Sequence, residues 1–202
     1  MSESRTNVQQ SAGCSLVRAR STEDQLKPRG RFVVEHFRNG VKIGQYEFPN
    51  GITNQGKNKL LDVMFHGVSA ATTWWLGMID NAGYTALAAT DTYQNITQAG
   101  NQWAEFTGYN DAGNSESSST RPAWTVGAAS NQASTNASPV IFDITGSGTV
   151  KGLFLVGGAA GAQTKGDHAA SGAVLWATAL FGTGDVAVNA DDQLKVTYTV
   201  SA

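Results

Sequence analysis

Two acids flanking a cleft are enough to cleave a glycosidic bond. Asp80, Glu105, Asp111 and Glu116 lie along the chain near Trp74, Trp75, Trp103 and Trp124. Tryptophan faces also stack on sugars, and aromatic residues in strands also build cores. Three readings of this group therefore stand side by side: hydrolysis, sugar binding and core packing. Other chemistry has less to work with. Nucleophilic catalysis needs a Ser or Cys beside a base, and the chain contains no Gly-x-Ser-x-Gly elbow. Cys14 is the single cysteine, which excludes an internal disulfide framework and a Cys-based zinc site. His36, His66 and His168 are scattered, and Asp167-His168 are sequence neighbours that would not both face one metal. Gly157-Gly158-Ala159-Ala160-Gly161 could cradle a phosphate only if a helix followed, and the next residues read as further loop. Asn95-Ile96-Thr97 and Asn136-Ala137-Ser138 match the glycosylation pattern, which means little without a secretory signal. No catalytic, cofactor-binding or metal-ligating constellation emerges.

The basic residues point to binding. Residues 1–60 hold ten bases against five acids, a net +5, and residues 61–202 hold four against eleven, a net −7. Arg18, Arg20, Lys27, Arg29 and Arg31 are spaced along the N-terminal stretch without interleaved aromatics. Stacking platforms for single-stranded nucleic acid usually need those aromatics, so no specific nucleic acid is expected; five bases over 14 residues could bind phosphate weakly, and they fit an acidic protein groove as well. The alternative is a solvated tail on a mildly acidic domain.

The elements that must carry these residues follow from composition and pattern. The chain has 202 residues and a net charge of −2. Charged residues make up 15%, against about 25% in ordinary soluble domains. At 41% apolar the chain is too hydrophobic to be wholly disordered. No apolar run is long enough for a membrane helix, and none in the first 30 residues reads as a secretory signal.

Residues 1–30 read as an extended docking arm, and 31–202 as one domain. Asn39-Gly40 between RFVVEHF and VKIGQYEF predicts a β-hairpin over 31–48, with a bulge at Gly44. Asn54 to His66 predicts a short helix, capped by Asn54, with Leu60, Leu61, Met64 and Phe65 as its apolar face. Strands are expected at 72–80, 103–109, 122–129, 138–145, 149–157, 172–181 and 193–200, about eight to ten in all. Such a succession without helical crossovers implies antiparallel pairing. The fold class is all-β: an antiparallel β-sandwich, jelly-roll-like in the preferred topology, with one short helix and an extended N-terminal arm.

The order of these segments resembles a group of tailed-bacteriophage virion structural proteins. The residues that carry the likeness are "NGITNQGKNKLLDVMFHG", "WWLGMID", "WAEFTGYN", "STRPAWTVGAASNQASTNASPVIFDITGSGTVKGLFLVGG" and "DDQLKVTYTVSA", together covering about residues 30–202. The resemblance implies a capsid cement or decoration protein on the head exterior of the virion, made in the host cytoplasm. It implies contacts with the phage major capsid protein and with further copies of itself as a dimer or trimer. It implies no catalysis, no cofactor and no membrane. The rival expectation is a tail-fibre or adhesin module that binds host glycan through exposed tryptophans. That rival requires Trp74, Trp75 or Trp103 to be open to solvent.

Overall fold

The computed structural model describes residues 27–96, 102–166 and 168–202. Twelve strands and one α-helix occur among them. The first hairpin pairs β1 (Arg29–Arg38) with β2 (Val41–Pro49). Asn39 and Gly40 both take positive φ, 50° and 75°, as a tight hairpin turn of this hand requires. His36 pairs with Gly44 but Phe37 with Lys42, so the extra residue of the bulge is Ile43, one place before the expected Gly44. A two-residue strand, β3 (Gly51–Ile52), leads into α1 (Asn54–Phe65). Then follow β4 (Trp74–Asp80), β5 (Glu105–Phe106), β6 (Tyr109–Asp111), β7 (Ala133–Thr135) and β8 (Val140–Ile144). The chain finishes with β9 (Gly148–Gly157), β10 (Val174–Leu180), β11 (Val186–Val188) and β12 (Asp192–Ser201).

These form two antiparallel sheets. One runs β2-β1-β12-β8-β6, with β7 also on β12; the other runs β3-β10-β9-β4-β5, with β11 also on β9. The β-sandwich expected from the sequence is present. The two strand orders do not by themselves make it a jelly roll. The first and last long strands are neighbours over ten residue pairs, from Arg29 opposite Ser201 to Arg38 opposite Asp192.

The main core lies between the sheets. Phe32 stacks on Tyr198 at 4.3 Å between ring centroids, and Phe48 meets Phe181 edge-on at 4.8 Å. A second core of Trp75, Ile79, Tyr93, Ile96, Trp103, Phe154, Val156 and Leu175 covers the other face of the second sheet. That sheet is therefore buried on both faces, which is why β4, β9 and β10 read as continuous apolar runs. The first sheet turns one face to solvent, and β8 and β12 alternate accordingly: Val140, Phe142, Ile144, Leu194, Val196 and Tyr198 point inward.

Three sequence expectations are corrected. Residues 103–109 do not form one strand but break into β5 and β6. Residues 122–129 form no strand, only isolated bridges from Ala123 to Trp75 and from Val126 to Asn136. The helix cap is Thr53 and not Asn54, because the Thr53 hydroxyl accepts the Gly56 N–H at 3.0 Å.

Candidate functional site

The carboxylates singled out for acid–base chemistry are built into the scaffold. Glu105 is buried on β5, and Arg121, buried completely, reaches it from a loop. Arg121 Nε donates to Glu105 Oε1 at 2.8 Å and a terminal guanidinium nitrogen to Oε2 at 2.6 Å. Tyr109 Oη adds a bond to Oε1 at 3.1 Å, and the Gly166 N–H one to Oε2 at 3.0 Å. The remaining guanidinium nitrogen donates to the Ala162 carbonyl at 2.7 Å. The guanidinium also lies over the rings of Phe154 and Tyr93, at 5.5 and 5.8 Å. Burial works against the charge on Arg121, but bonding to Glu105 outweighs it and holds the group more basic than usual. Burial pushes the Tyr109 phenol well above its ordinary range, with the neighbouring Glu105 charge adding to the effect. This bidentate pair fastens three loops, around 105–109, 119–122 and 160–166, to one point.

Asp111 is likewise buried, bonded by Thr120 and by the Gly113 N–H, and its burial raises its carboxyl above the usual range. Asp80 caps a turn by accepting the Ala82 N–H at 2.9 Å. Glu116 alone is exposed, beside Asp143, whose carboxyl shares a hydrogen bond with it and pushes it upward. These four acids are not brought together. Glu105 and Asp111 have both oxygens engaged by hydrogen bonds, whereas Glu116 and Asp143 line one surface cleft together with Asp191 and Asp192.

Three of the five tryptophans are core residues. Trp75, Trp103 and Trp124 are buried, and the Trp103 indole donates to Asp91 at 2.9 Å. Trp74 is half-buried, meeting Trp176 edge-on at 5.8 Å. Stacking on a sugar would need an open indole face, and none of the first three offers one.

His36 is buried on β1 and contacts Asp192 at 2.8 Å, where Arg38 also binds with two nitrogens at 2.7 and 2.8 Å. Arg38 first, against burial, holds the Asp192 carboxyl far below the usual range. His66 is exposed at the end of α1, and His168 lies near Tyr93. The three histidines stay apart, and no metal-holding group of three acids, histidines or cysteines occurs among the described residues. The end of the glycine run enters a short 3-10 turn, Ala160–Gln163, instead of plain loop; its buried Ala162 supplies the carbonyl that holds Arg121.

Of the five bases expected to bind a partner, Arg18 and Arg20, like Cys14, lie outside the described residues. Lys27 is exposed at the start of the described chain. Arg29 and Arg31 are strand residues of β1, on the solvent face of the first sheet, and Arg31 pairs with Glu47. The sequence adds a detail here. Residues 1–26 carry three bases and three acids, whereas 27–60 carry seven and two. The basic excess thus belongs to the first hairpin and α1, not to the segment before them.

The feature that pattern reading left without a role is α1. The sequence marks Leu60, Leu61, Met64 and Phe65 as its apolar face without saying what that face meets. Only Gly56 of the helix is buried; Leu61 is 51% exposed, Met64 55% and Phe65 78%. Val68 just beyond is exposed as well. Leu61, Met64 and Phe65 are neighbours on one face of the helix, and Val68 follows after Gly67, whose φ of 69° turns the chain out of the helix. This patch is on the order of a few hundred Å², comparable to the largest apolar patch of a typical monomer, which often serves a function. The opposite side of the helix roofs an apolar mouth of about 230 Å³ between the sheets, lined by Leu60, Val63, Ala71, Trp74, Trp176 and Val200.

No family model, curated protein or solved structure matches the chain.

Proposed function

We propose that the protein is a non-enzymatic cement or decoration protein of a tailed-phage capsid, binding neighbouring major capsid subunits on the head exterior. The observation that carries the reading is the uncovered apolar stripe Leu61–Met64–Phe65 on α1, with exposed Val68 just beyond its end. A helix held to its own domain by a glycine, with its largest apolar side chains outward, is suited to docking on another protein. The sequence resemblance supplies the kind of partner.

A bridging role accounts for the remaining features. A protein that binds only the assembled shell stabilises that shell by mass action. A helix stripe and a separate N-terminal segment give two points of attachment, so each raises the effective concentration of the other. The basic excess of residues 27–60 favours encounter with an acidic shell surface. The flat outer face of the first sheet is internally paired, Arg31 with Glu47 and Lys42 with Glu35, and so is less available for new ionic contacts.

The test is binding of full-length protein to heads that lack it. Phe65→Asp and Leu61→Asp should leave the circular dichroism spectrum and melting temperature unchanged. Each should weaken head binding by at least about tenfold, or 1.4 kcal/mol. Equal binding by folded variants would overturn the proposal.

A further inference from the structure

The first sheet keeps one long edge open. We propose that β2 pairs with β2 of a second copy of this chain, antiparallel and centred on Gln45, so that two first sheets join into one.

The edges of the two sheets differ in length. β2 ends the first sheet with nine residues, whereas β6 on its other side has three, and β3 and β5, which end the second sheet, have two each. Among the described residues no strand lies on the outer side of β2. Its neighbour fixes the phase of its backbone. The Asn50 N–H bonds the Gly30 carbonyl at 3.0 Å, and successive residues of a strand turn their amide groups to opposite sides. Phe48, Tyr46 and Gly44 therefore bond toward β1. Glu47, Gln45 and, across the bulge at Ile43, Lys42 turn their amide groups outward. Such a row of unpaired N–H and C=O groups is a template for another strand.

The strand is complementary to itself. Centred on Gln45, the antiparallel register sets Gln45 opposite its own copy, Gly44 opposite Tyr46, Lys42 opposite Glu47 and Val41 opposite Phe48. Ile43 is left over on both strands, as it is against β1. Gln45, Lys42 and Glu47, the residues with outward amide groups, then exchange backbone bonds, and unlike charges face each other at two places. The register uses the strand from Val41 to Phe48, and Pro49, which has no N–H to offer, lies just outside it. Lys42 and Glu47 each hold a partner in their own chain, Glu35 and Arg31. Their charges therefore select the register more than they add affinity. The attachment comes from the backbone bonds and from Val41 and Ile43, 64% and 51% exposed in the single chain, which lie at the seam. Gly182 approaches the Glu47 carbonyl and, as a glycine, puts no side chain over it.

One strand edge buries less surface than a permanent dimer does, so the pairing is reversible and follows concentration. It uses none of the residues of the α1 stripe and does not rest on the capsid reading.

The test uses full-length Cys14→Ser protein, so that no native thiol links chains. Sedimentation velocity over a concentration series should show a reversible monomer–dimer equilibrium. Lys42→Glu and Glu47→Lys each set like charges opposite one another. Each should raise the dimer dissociation constant at least about tenfold, with the circular dichroism spectrum unchanged. Mixing these two variants brings unlike charges back to both places and should restore the dimer. Cross-linking reads the register separately. Gln45→Cys, at the centre of the ladder, should link two chains on mild oxidation. Glu47→Cys, about 13 Å along the strand from its copy, should link several-fold less. A chain that stays monomeric at every concentration overturns the proposal. So does a dimer that survives both charge variants, or one abolished by Phe65→Asp instead, which would assign the contact to α1. Equal linking from positions 45 and 47 would reject the register.

Discussion

Glu105 accepts hydrogen bonds from Arg121, Tyr109 and Gly166, and its partners decide its role. Removing one member of a buried pair leaves an uncompensated charge, which costs about 3–5 kcal/mol. Arg121→Met should therefore lower the unfolding free energy by about that much, read from urea denaturation. Adding Glu105→Gln in the same chain should recover part of the loss, because the stranded charge is gone. An unchanged urea midpoint in Arg121→Met would contradict the assigned role. Tyr198 gives a pH prediction. It is buried, with the Asn50 amide donating to its oxygen at 2.8 Å, and burial first of all pushes its phenol up to about 12. Its unfolded value is about 10. The folded chain thus holds a proton that the unfolded chain releases, and stability is fully present below pH 10 and falls between about pH 10 and 12. Tyr109, raised in the same direction, adds to that loss. Tyrosinate absorbance from these two rings should appear together with loss of structure, not before it. Asp192 acts at the other end of the scale. Its carboxyl is held low, so its contribution is present above the ordinary Asp range and fades as acid protonates it.

The helix and the hairpins mark what an element reveals in sequence. Asn39-Gly40 was legible because only a few residue types accept positive φ at both positions. β8 and β12 were legible because one face is buried and one is wet. β4, β9 and β10 could be found but not oriented, since burial on both faces erases alternation. The break between β5 and β6 was not legible, because the Glu105–Arg121 contact spans sixteen residues. The candidate site was legible only in its residues: Leu61, Met64 and Phe65 were seen as an apolar face, but which way that face turns depends on Gly56. There a Cβ would come within 2.6 Å of the Trp176 carbonyl oxygen, so the helix rests on β10 by its glycine, leaving the larger residues outside. Gly56→Ala should destabilise the protein despite alanine's better helix propensity of about 1 kcal/mol. Thr53→Ala should cost about 1–2 kcal/mol, because its hydroxyl both caps α1 and donates to the Leu175 carbonyl. Asn54→Ala, outside the cap, should cost less than Thr53→Ala by thermal melting; the opposite ranking would return the cap to Asn54.

At the scale of the whole molecule, the pairing of β1 with β12 sets where things lie. It closes the first sheet with the two ends of the described chain side by side, Arg29 opposite Ser201. Lys27, the apolar mouth and the start of α1 therefore gather at one end of the sandwich. Arg38, Asp192 and the Asn39-Gly40 turn lie at the other, a β1 length of about 30 Å away. In the proposed role, the stripe on α1 and the N-terminal segment would engage a shell from the same end. The decisive measurement is cryo-electron microscopy of intact virions at a resolution that traces this chain. The account predicts density on the head exterior at junctions between capsid subunits, with α1 against a neighbouring protein through Leu61, Met64 and Phe65. Density at the tail or fibre, or on the head with α1 facing solvent, would contradict it.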